Sequence, residues 1–299
     1  MSASSPADTI GRISSFLQDA SFEVTRASAK DVADLAATLP PRSPIYITAL
    51  PGRPFEELTE QAVAVHAAGL EPVVHIAARH HVDLASIERV LASIRAVGVD
   101  EILLIGGDVS PAGSVPDAMT VIESGLIQKH GIRRVGLPGF PDGHPHMSDE
   151  ELESVLVTKI AALQRADIAG HIVTQFCFDA EPVLRWLAWL RERGVHVPVR
   201  VGFAGPTSLM TWLNYARRCG VKASAEALAS RSGLVRHAFK AVAPDPFVRR
   251  VAEAVASGAY GEVKAHLFSF GGVGATARWA AAPMRGDIRL TAEGFEAAS

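Results

Sequence analysis

Six side chains able to do chemistry recur at corresponding places along the chain. Glu23, Thr48, His75, Asp108, His144 and Gln175 each lie within or just after a short run that reads as a β-strand. Carboxylates can give or take a proton, imidazole can do the same near neutral pH, and hydroxyl and carboxamide groups orient polar ligands. Asp108 has the clearest frame. Glu101-Ile102-Leu103-Leu104-Ile105 is a continuous apolar run that breaks at once into Gly106-Gly107-Asp108. Such a run, closed by turn residues, predicts a strand buried on both faces, and the glycines let a ligand come close to the backbone. Each residue has an ordinary alternative: Asp108 as a cap, Glu23 as a solvated carboxylate, His75 as a satisfied core histidine, Gln175 as a bond to a loop carbonyl. Their shared position at strand ends favours a site.

The elements that would position them alternate. Strands are predicted at 21–25, 44–50, 72–77, 101–105, 133–137, 171–178, 197–203 and 263–268. Helices are predicted at 10–17, 29–39, 55–68, 84–97, 116–129, 150–165 and 182–193, with a long helical region over 207–257 broken near Pro244 and Pro246. Alternation of this kind predicts a parallel sheet with helices outside, and eight repeats predict closure into a (β/α)8 TIM-type α/β barrel. A further short segment, 276–281, is a candidate to close the ring. The expected organisation is an N-terminal extension and leading helix at 1–20, a barrel at 21–282, and a polar, loosely attached tail at 283–299.

Composition narrows the class. The 299 residues are 48% hydrophobic with a net charge of -3, so neither a nucleic-acid partner nor a polybasic membrane surface is indicated. Cys177 and Cys219 are the only cysteines, which argues against a disulfide framework and suits a reducing compartment. No apolar run approaches the roughly 20 residues that span a bilayer, and no signal peptide is evident, so a cytoplasmic location is expected. His75, His80 and His81 have no carboxylate or cysteine at a familiar metal spacing, so no metal is expected. The loop Asp142-Gly143-His144-Pro145-His146 reads better as ligand-shaping than metal-binding. Neither a G-x-G-x-x-G turn nor a Walker lysine loop is present, and no Ser/His/Asp order stands out. Trp186 and Trp189 read as core packing, and Arg217-Arg218 as a solvated face.

Taken together, the motifs resemble the methylenetetrahydrofolate reductase family. Ser21-Phe22-Glu23 is similar to its first strand, Val74-His75-Ile76 to its third-strand histidine segment, and Gly107-Asp108 to the end of its Arg-Gly-Asp turn. Phe140-Pro141-Asp142-Gly143-His144-Pro145 resembles its Tyr-Pro-Glu-Gly-His-Pro loop, and Thr174-Gln175-Phe176 its Thr-Gln-aromatic segment. The resemblance spans residues 20–282 in order.

It implies an FAD-dependent oxidoreductase that interconverts 5,10-methylenetetrahydrofolate and 5-methyltetrahydrofolate with NADH or NADPH. Glu23 would be the general acid at N10 of folate, and such an acid works best when burial raises its pKa. Asp108 would bind the pterin and sit near the flavin, while Gln175 would hold the pterin edge. Thr48, His75, Gly107, Asp108, Phe140 and His144 would line FAD, with Lys159 the candidate beside its phosphates. Folate and nicotinamide would use the flavin in turn, giving ping-pong kinetics. The partners implied are a tetrahydrofolate derivative and a nicotinamide dinucleotide; oligomeric state is left open, a homo-oligomer included.

This chain departs from the pattern in several places. Gly106 stands where the family has arginine, Phe140 replaces tyrosine, Phe268-Ser269-Phe270-Gly271-Gly272 replaces Leu-Asn-Arg, and the seventh-loop phenylalanine has no counterpart near Ser208-Leu209. The alternatives these imply are direct hydride transfer from NAD(P)H without flavin, and a non-redox folate-binding methyltransferase barrel.

Overall fold

The computed structural model describes residues 5–218 and 241–298. Eight parallel strands form a closed barrel in chain order: β1 (Ser21–Val24), β2 (Pro44–Ile47), β3 (Glu71–Ala77), β4 (Glu101–Ile105), β5 (Arg134–Gly139), β6 (Ala169–Thr174), β7 (Val199–Ala204) and β8 (Val263–Phe268). The ring closes through β8, which lies between β7 and β1. With flanking helices this is the predicted TIM-type α/β barrel, and the strands fall where the apolar runs placed them. Contacts divide the chain into two compact units: Ser21–Gly139 with Glu153–Val173, and Met1–Ala20 with Phe140–Leu152 and Thr174–Ser299.

The first unit holds β1 to β5 and most of β6. Its helices are α2 (Ala29–Thr38), α3 (Glu56–Ala67), α4 (Leu84–Ala96), α5 (Ala118–Glu123), α6 (Leu126–Lys129) and α7, which begins at Asp149 and ends at Arg165. Their starts are written in the sequence. Ser28 caps α2 in a reciprocal box with Asp31, Asp83 caps α4 by accepting from Ser86 N, and Asp117 caps α5 by accepting from Thr120 N. The helix expected over 116–129 is instead two short helices. Gly125, left-handed at φ 75°, separates them. Strand pairing is in register, with Glu23 opposite Tyr46 and His75 opposite Leu103. Tyr46, Val73, Leu103 and Val173 pack as a buried cluster.

A polar group lies within this apolar frame. The Tyr46 hydroxyl is 3.0 Å from Glu101 Oε1 and 3.0 Å from His171 Nε2, and Arg134 pairs with Glu101, Asp100 and Glu71. His171 fits because β5 offers Gly136. A Cβ there would stand 2.7 Å from the imidazole Nε2, nearer than packing allows.

The second unit holds β7, β8 and the helices α1 (Pro6–Leu17), α8 (Ala180–Glu192), α9 (Leu209–Arg218), α10 (Asp245–Val255) and α11 (Val273–Arg285). Ser5 and Asp8 form a capping box at α1, with Pro6 in the first turn, and its apolar face meets α10 and α11. Three expectations are corrected here. In the region 207–257, helices α9 and α10 stand where helix was expected, with a break before Asp245, but Thr207–Ser208 is not helical and pairs antiparallel with Ala241–Val242; 219–240 lies outside the described residues. The segment 276–281 is not a strand but the middle of α11, whose small alanines pack one helical face inward. The tail after Pro283 is not loose. Ile288–Leu290 pairs with Phe295–Ala297, burying Ile288 and Phe295, and Phe295 stacks on Trp279 with ring centroids 5.9 Å apart. Its alternation was masked by the charged residues on its outer face.

Candidate functional site

β1, β2 and β3 bring Glu23, Thr48 and His75 together. Thr48 follows β2 and continues the ladder, its amide donating to Val24 O at 3.0 Å, which sets its side chain beside β1. Its hydroxyl donates to Glu23 Oε1 at 3.2 Å. On the other oxygen, His75 Nε2 lies 3.6 Å from Glu23 Oε2, with side-chain exposures of 5% and 15% for the two residues. The Tyr46 ring meets the imidazole edge-on, centroids 6.1 Å apart. A carboxyl this enclosed, oriented by a neighbouring hydroxyl, can exchange a proton with a ligand at the strand ends.

Gly106 and Gly107 form the turn after β4. Gly107 has φ +95°, a conformation L side chains rarely adopt, and nothing lies within 4 Å of a Cβ built on Gly106. Asp108 follows, exposed. The turn is held by Arg79, in the segment after β3, a residue that the sequence did not single out. Arg79 N donates to Gly106 O at 2.9 Å, Arg79 Nη1 to Gly107 O at 3.3 Å, and Arg79 Nε to Pro116 O at 2.9 Å. The His80 ring backs Gly107, 3.3 Å from where its Cβ would stand. Burial lowers the His80 pKa, against a smaller upward pull from Asp108, so the imidazole is neutral at neutral pH. Its Nδ1 is buried with no hydrogen-bond partner among the described residues. His81 turns away. It stacks on Phe55, centroids 4.0 Å apart, bonds Ser86 Oγ at 3.1 Å, and is pushed down to about 4 by burial first and His80 second.

Lys159, on α7, is half-buried and its pKa is lowered, mainly by desolvation. Asp117 favours its charge and Arg79 opposes it. Among the described residues no hydrogen bond or ion pair engages it. Among the described residues, too, no three His, Cys, Asp or Glu side chains gather as a metal ion would require.

The second unit positions the remaining candidates. The Phe140 ring meets His144 edge-on at 5.1 Å, and His144 meets His146 at 5.8 Å, with His146 N donating to His144 Nδ1 at 3.3 Å. Gln175 caps its own strand end: its Oε1 accepts from Phe176 N at 3.0 Å. Cys177 is fully enclosed, and burial first, then Asp142, push its thiol well up, so it is no nucleophile. Its neighbour in sequence, Phe176, belongs to an aromatic group the strings alone did not predict, with Phe268 and with Tyr215 stacked on Phe270, centroids 3.8 Å apart. Phe268 and Phe270 come from the segment that departs from the family's Leu-Asn-Arg.

Comparison with known proteins decides the family. Residues 47–254 match the family model for methylenetetrahydrofolate reductase. The chain belongs to the methylenetetrahydrofolate reductase family. Methylenetetrahydrofolate reductase 2 of Saccharomyces cerevisiae is 24% identical over 168 residues, which is 52% of this chain and 27% of the yeast protein. Methylenetetrahydrofolate reductase 1 of Schizosaccharomyces pombe is 30% identical over 91 residues, 29% of this chain and 14% of that protein. The chain thus spans about a quarter or less of these relatives. Among solved structures, a Clostridium thermocellum protein that binds two copies of 5-methyl-5,6,7,8-tetrahydrofolic acid superposes with a TM-score of 0.55. It is 10% identical, covering 87% of this chain and 91% of that one, and shows the shared barrel. Glu23 precedes the span matched to the methylenetetrahydrofolate reductase family, and Phe268 and Phe270 follow it. No helix among the described residues is long and apolar enough to cross a membrane.

The first unit's residues fit the dinucleotide that this family implies. Gly106 leaves open space at the strand end, and Lys159 is a half-buried cation without an acidic partner in bonding range among the described residues.

Proposed function

We propose that this chain is an oxidoreductase that interconverts 5,10-methylenetetrahydrofolate and 5-methyltetrahydrofolate, using NADH or NADPH and bound FAD. The observation that carries the reading is the Glu23 carboxyl, enclosed at the barrel end between the Thr48 hydroxyl and the His75 imidazole. Opening the methylene bridge of the folate requires a proton at N10, and Glu23 is the acid that supplies it. Thr48 fixes the carboxyl's orientation, so the proton is aimed before the ligand arrives. Asp108 contacts the pterin from the β4 turn, and the same reading gives the pterin edge to Gln175. Flavin, when bound, carries the hydride between nicotinamide and folate. Thr48, His75, Gly107, Asp108 and Lys159 hold it from the first unit; for Phe140 and His144 the same reading assigns flavin contacts.

One observation favours a second reading. Gly106 presents no side chain where the family places an arginine, which removes a cationic contact to the flavin. Direct hydride transfer from NAD(P)H to the folate, in a ternary complex, would need no such contact. A purified protein that is colourless and takes up no added FAD, yet reduces the folate with sequential kinetics, selects it.

The test of the reaction itself is NAD(P)H oxidation by the purified chain, with the folate product identified by mass. Oxidation that depends on methylenetetrahydrofolate and yields 5-methyltetrahydrofolate is expected. Folate binding without any nicotinamide oxidation would instead place the chain among non-redox folate barrels.

A further inference from the structure

A cleft at the ends of β1 and β2 is accounted for neither by Glu23 itself nor by the β4 turn. The two strands are parallel and paired in register up to Val24 and Ile47, so the segments that leave them run side by side. With the start of α3 they form a narrow cleft open to solvent, lined in part by Arg26, Thr48, Arg53, Phe55, Glu57 and Gln61. Thr48 is the residue whose hydroxyl bonds Glu23 Oε1, so the cleft adjoins the candidate acid.

Most of its polar groups are already engaged. Arg53 and Glu57 neutralise each other, Nε lying 3.1 Å from Oε2 and Nη2 2.7 Å from Oε1. Gln61 Oε1 accepts from Ala27 N at 3.2 Å, which ties the segment after β1 to α3. Arg26 is different. It is exposed, and among the described residues no hydrogen bond or ion pair engages its guanidinium. Two arginines and one glutamate leave the lining with a net positive charge, and Arg26 is its source. The Phe55 wall is stiff. Its ring stacks on His81 with centroids 4.0 Å apart, and His81 is fixed in turn by the 3.1 Å bond to Ser86 Oγ. A flat group entering the cleft meets an aromatic that is already ordered, which lowers the entropy cost of binding.

An aromatic wall beside an uncommitted guanidinium suits a ligand that joins a flat ring to a carboxylate. A folate has that form: beyond N10 come an aminobenzoyl ring and a glutamyl group with two carboxylates. The reach agrees. Arg26 is three residues past Glu23, so their Cα atoms are at most about 11 Å apart, a span that one benzoyl ring and the start of a glutamyl group bridge. We propose that this cleft receives the aminobenzoyl-glutamyl tail of the folate, with Arg26 pairing a tail carboxylate and Phe55 walling the ring. The inference rests on the folate reading above and adds to it the residue that selects a charged tail.

Titration calorimetry on the full chain compares 5-methyltetrahydrofolate with its glutamyl dimethyl ester, which keeps the ring and loses the tail charge. Wild-type protein should bind the free acid about fivefold tighter, the upper return for a solvent-exposed ion pair. Arg26→Gln should abolish that preference, losing about fivefold on the acid and nothing on the ester, while Arg26→Lys retains part of it. Added salt should weaken the acid's binding to the wild type more than to Arg26→Gln. Arg26 holds no other part of the fold, so the melting temperature should be unchanged in both variants. A preference that survives Arg26→Gln, or an equal loss on acid and ester, would overturn the proposal. So would a loss of NADH affinity with folate affinity unchanged, which gives the cleft to the dinucleotide's phosphates. Binding of both folates without preference removes this site and keeps the folate reading, whereas a wild type that binds neither defeats that reading and this site with it.

Discussion

Glu23→Gln separates proton donation from everything else this side chain does. The amide matches the carboxyl in shape, and its oxygen can still accept from the Thr48 hydroxyl, 3.2 Å from Oε1 in the structure. On the other side the amide NH2 replaces the oxygen 3.6 Å from His75 Nε2, a contact too long to be a strong bond. Both side chains are enclosed, and an amide of the same shape opens no cavity. Stability should therefore move by no more than about 1 kcal/mol. What is lost is the proton. General acid catalysis is worth about 100- to 10,000-fold, so folate turnover should fall by that factor, or about 3–5.5 kcal/mol of transition-state stabilisation. The assay is stopped-flow spectroscopy of each half-reaction, with a thermal melt on the same sample. Reduction of bound flavin by the nicotinamide should keep its wild-type rate, while reoxidation by methylenetetrahydrofolate should be nearly abolished. Equal loss in both half-reactions, or a large drop in melting temperature, would make Glu23 a structural residue and refute the reasoning.

Two predictions concern stability. Burial raises the Asp245 carboxyl from 3.8 to about 6, despite the 2.9 Å bond from Trp279 Nε1. Between those values the folded state holds a proton that the unfolded state has released. Stability therefore falls as pH rises through that window, and the penalty is complete above it. At about 1.4 kcal/mol per pH unit, Asp245→Asn should stabilise the protein by up to about 3 kcal/mol at pH 7.5 and flatten urea stability between pH 4 and about 6; an unchanged pH profile would count against it. Tyr46→Phe strips a buried hydroxyl from Glu101 and His171 and should cost about 1–3 kcal/mol in the same urea assay, with a loss below 0.5 kcal/mol contradicting the network.

Much of the barrel was legible because a parallel strand is buried on both faces and writes itself as an unbroken apolar run, as Ile102 to Ile105 does. The misread segments lacked such a signal. In α11 the alanines of 276–281 fit strand or helix alike, and the hairpin after Pro283 hides two buried residues among charges. The glycine turn before Asp108 was visible as a place for chemistry, and Glu23, Thr48 and His75 converge as their strand positions implied. Arg79 was not visible. Its part depends on backbone carbonyls of a loop 28 residues away, Gly107 among them, and carbonyls carry no sequence signal. The same holds for Tyr46, whose hydroxyl finds partners on β4 and β6. Likewise the Tyr215–Phe270 stack joins residues with no common spacing.

The most direct test of the proposed chemistry follows the visible absorbance of FAD bound to the purified chain, with oxygen excluded. NADH or NADPH should bleach the flavin, methylenetetrahydrofolate added next should restore it, and 5-methyltetrahydrofolate should appear in equal amount. A protein that binds FAD and is bleached by nicotinamide, but whose colour methylenetetrahydrofolate never restores, would contradict the folate half of the reading, and with it the role given to Glu23.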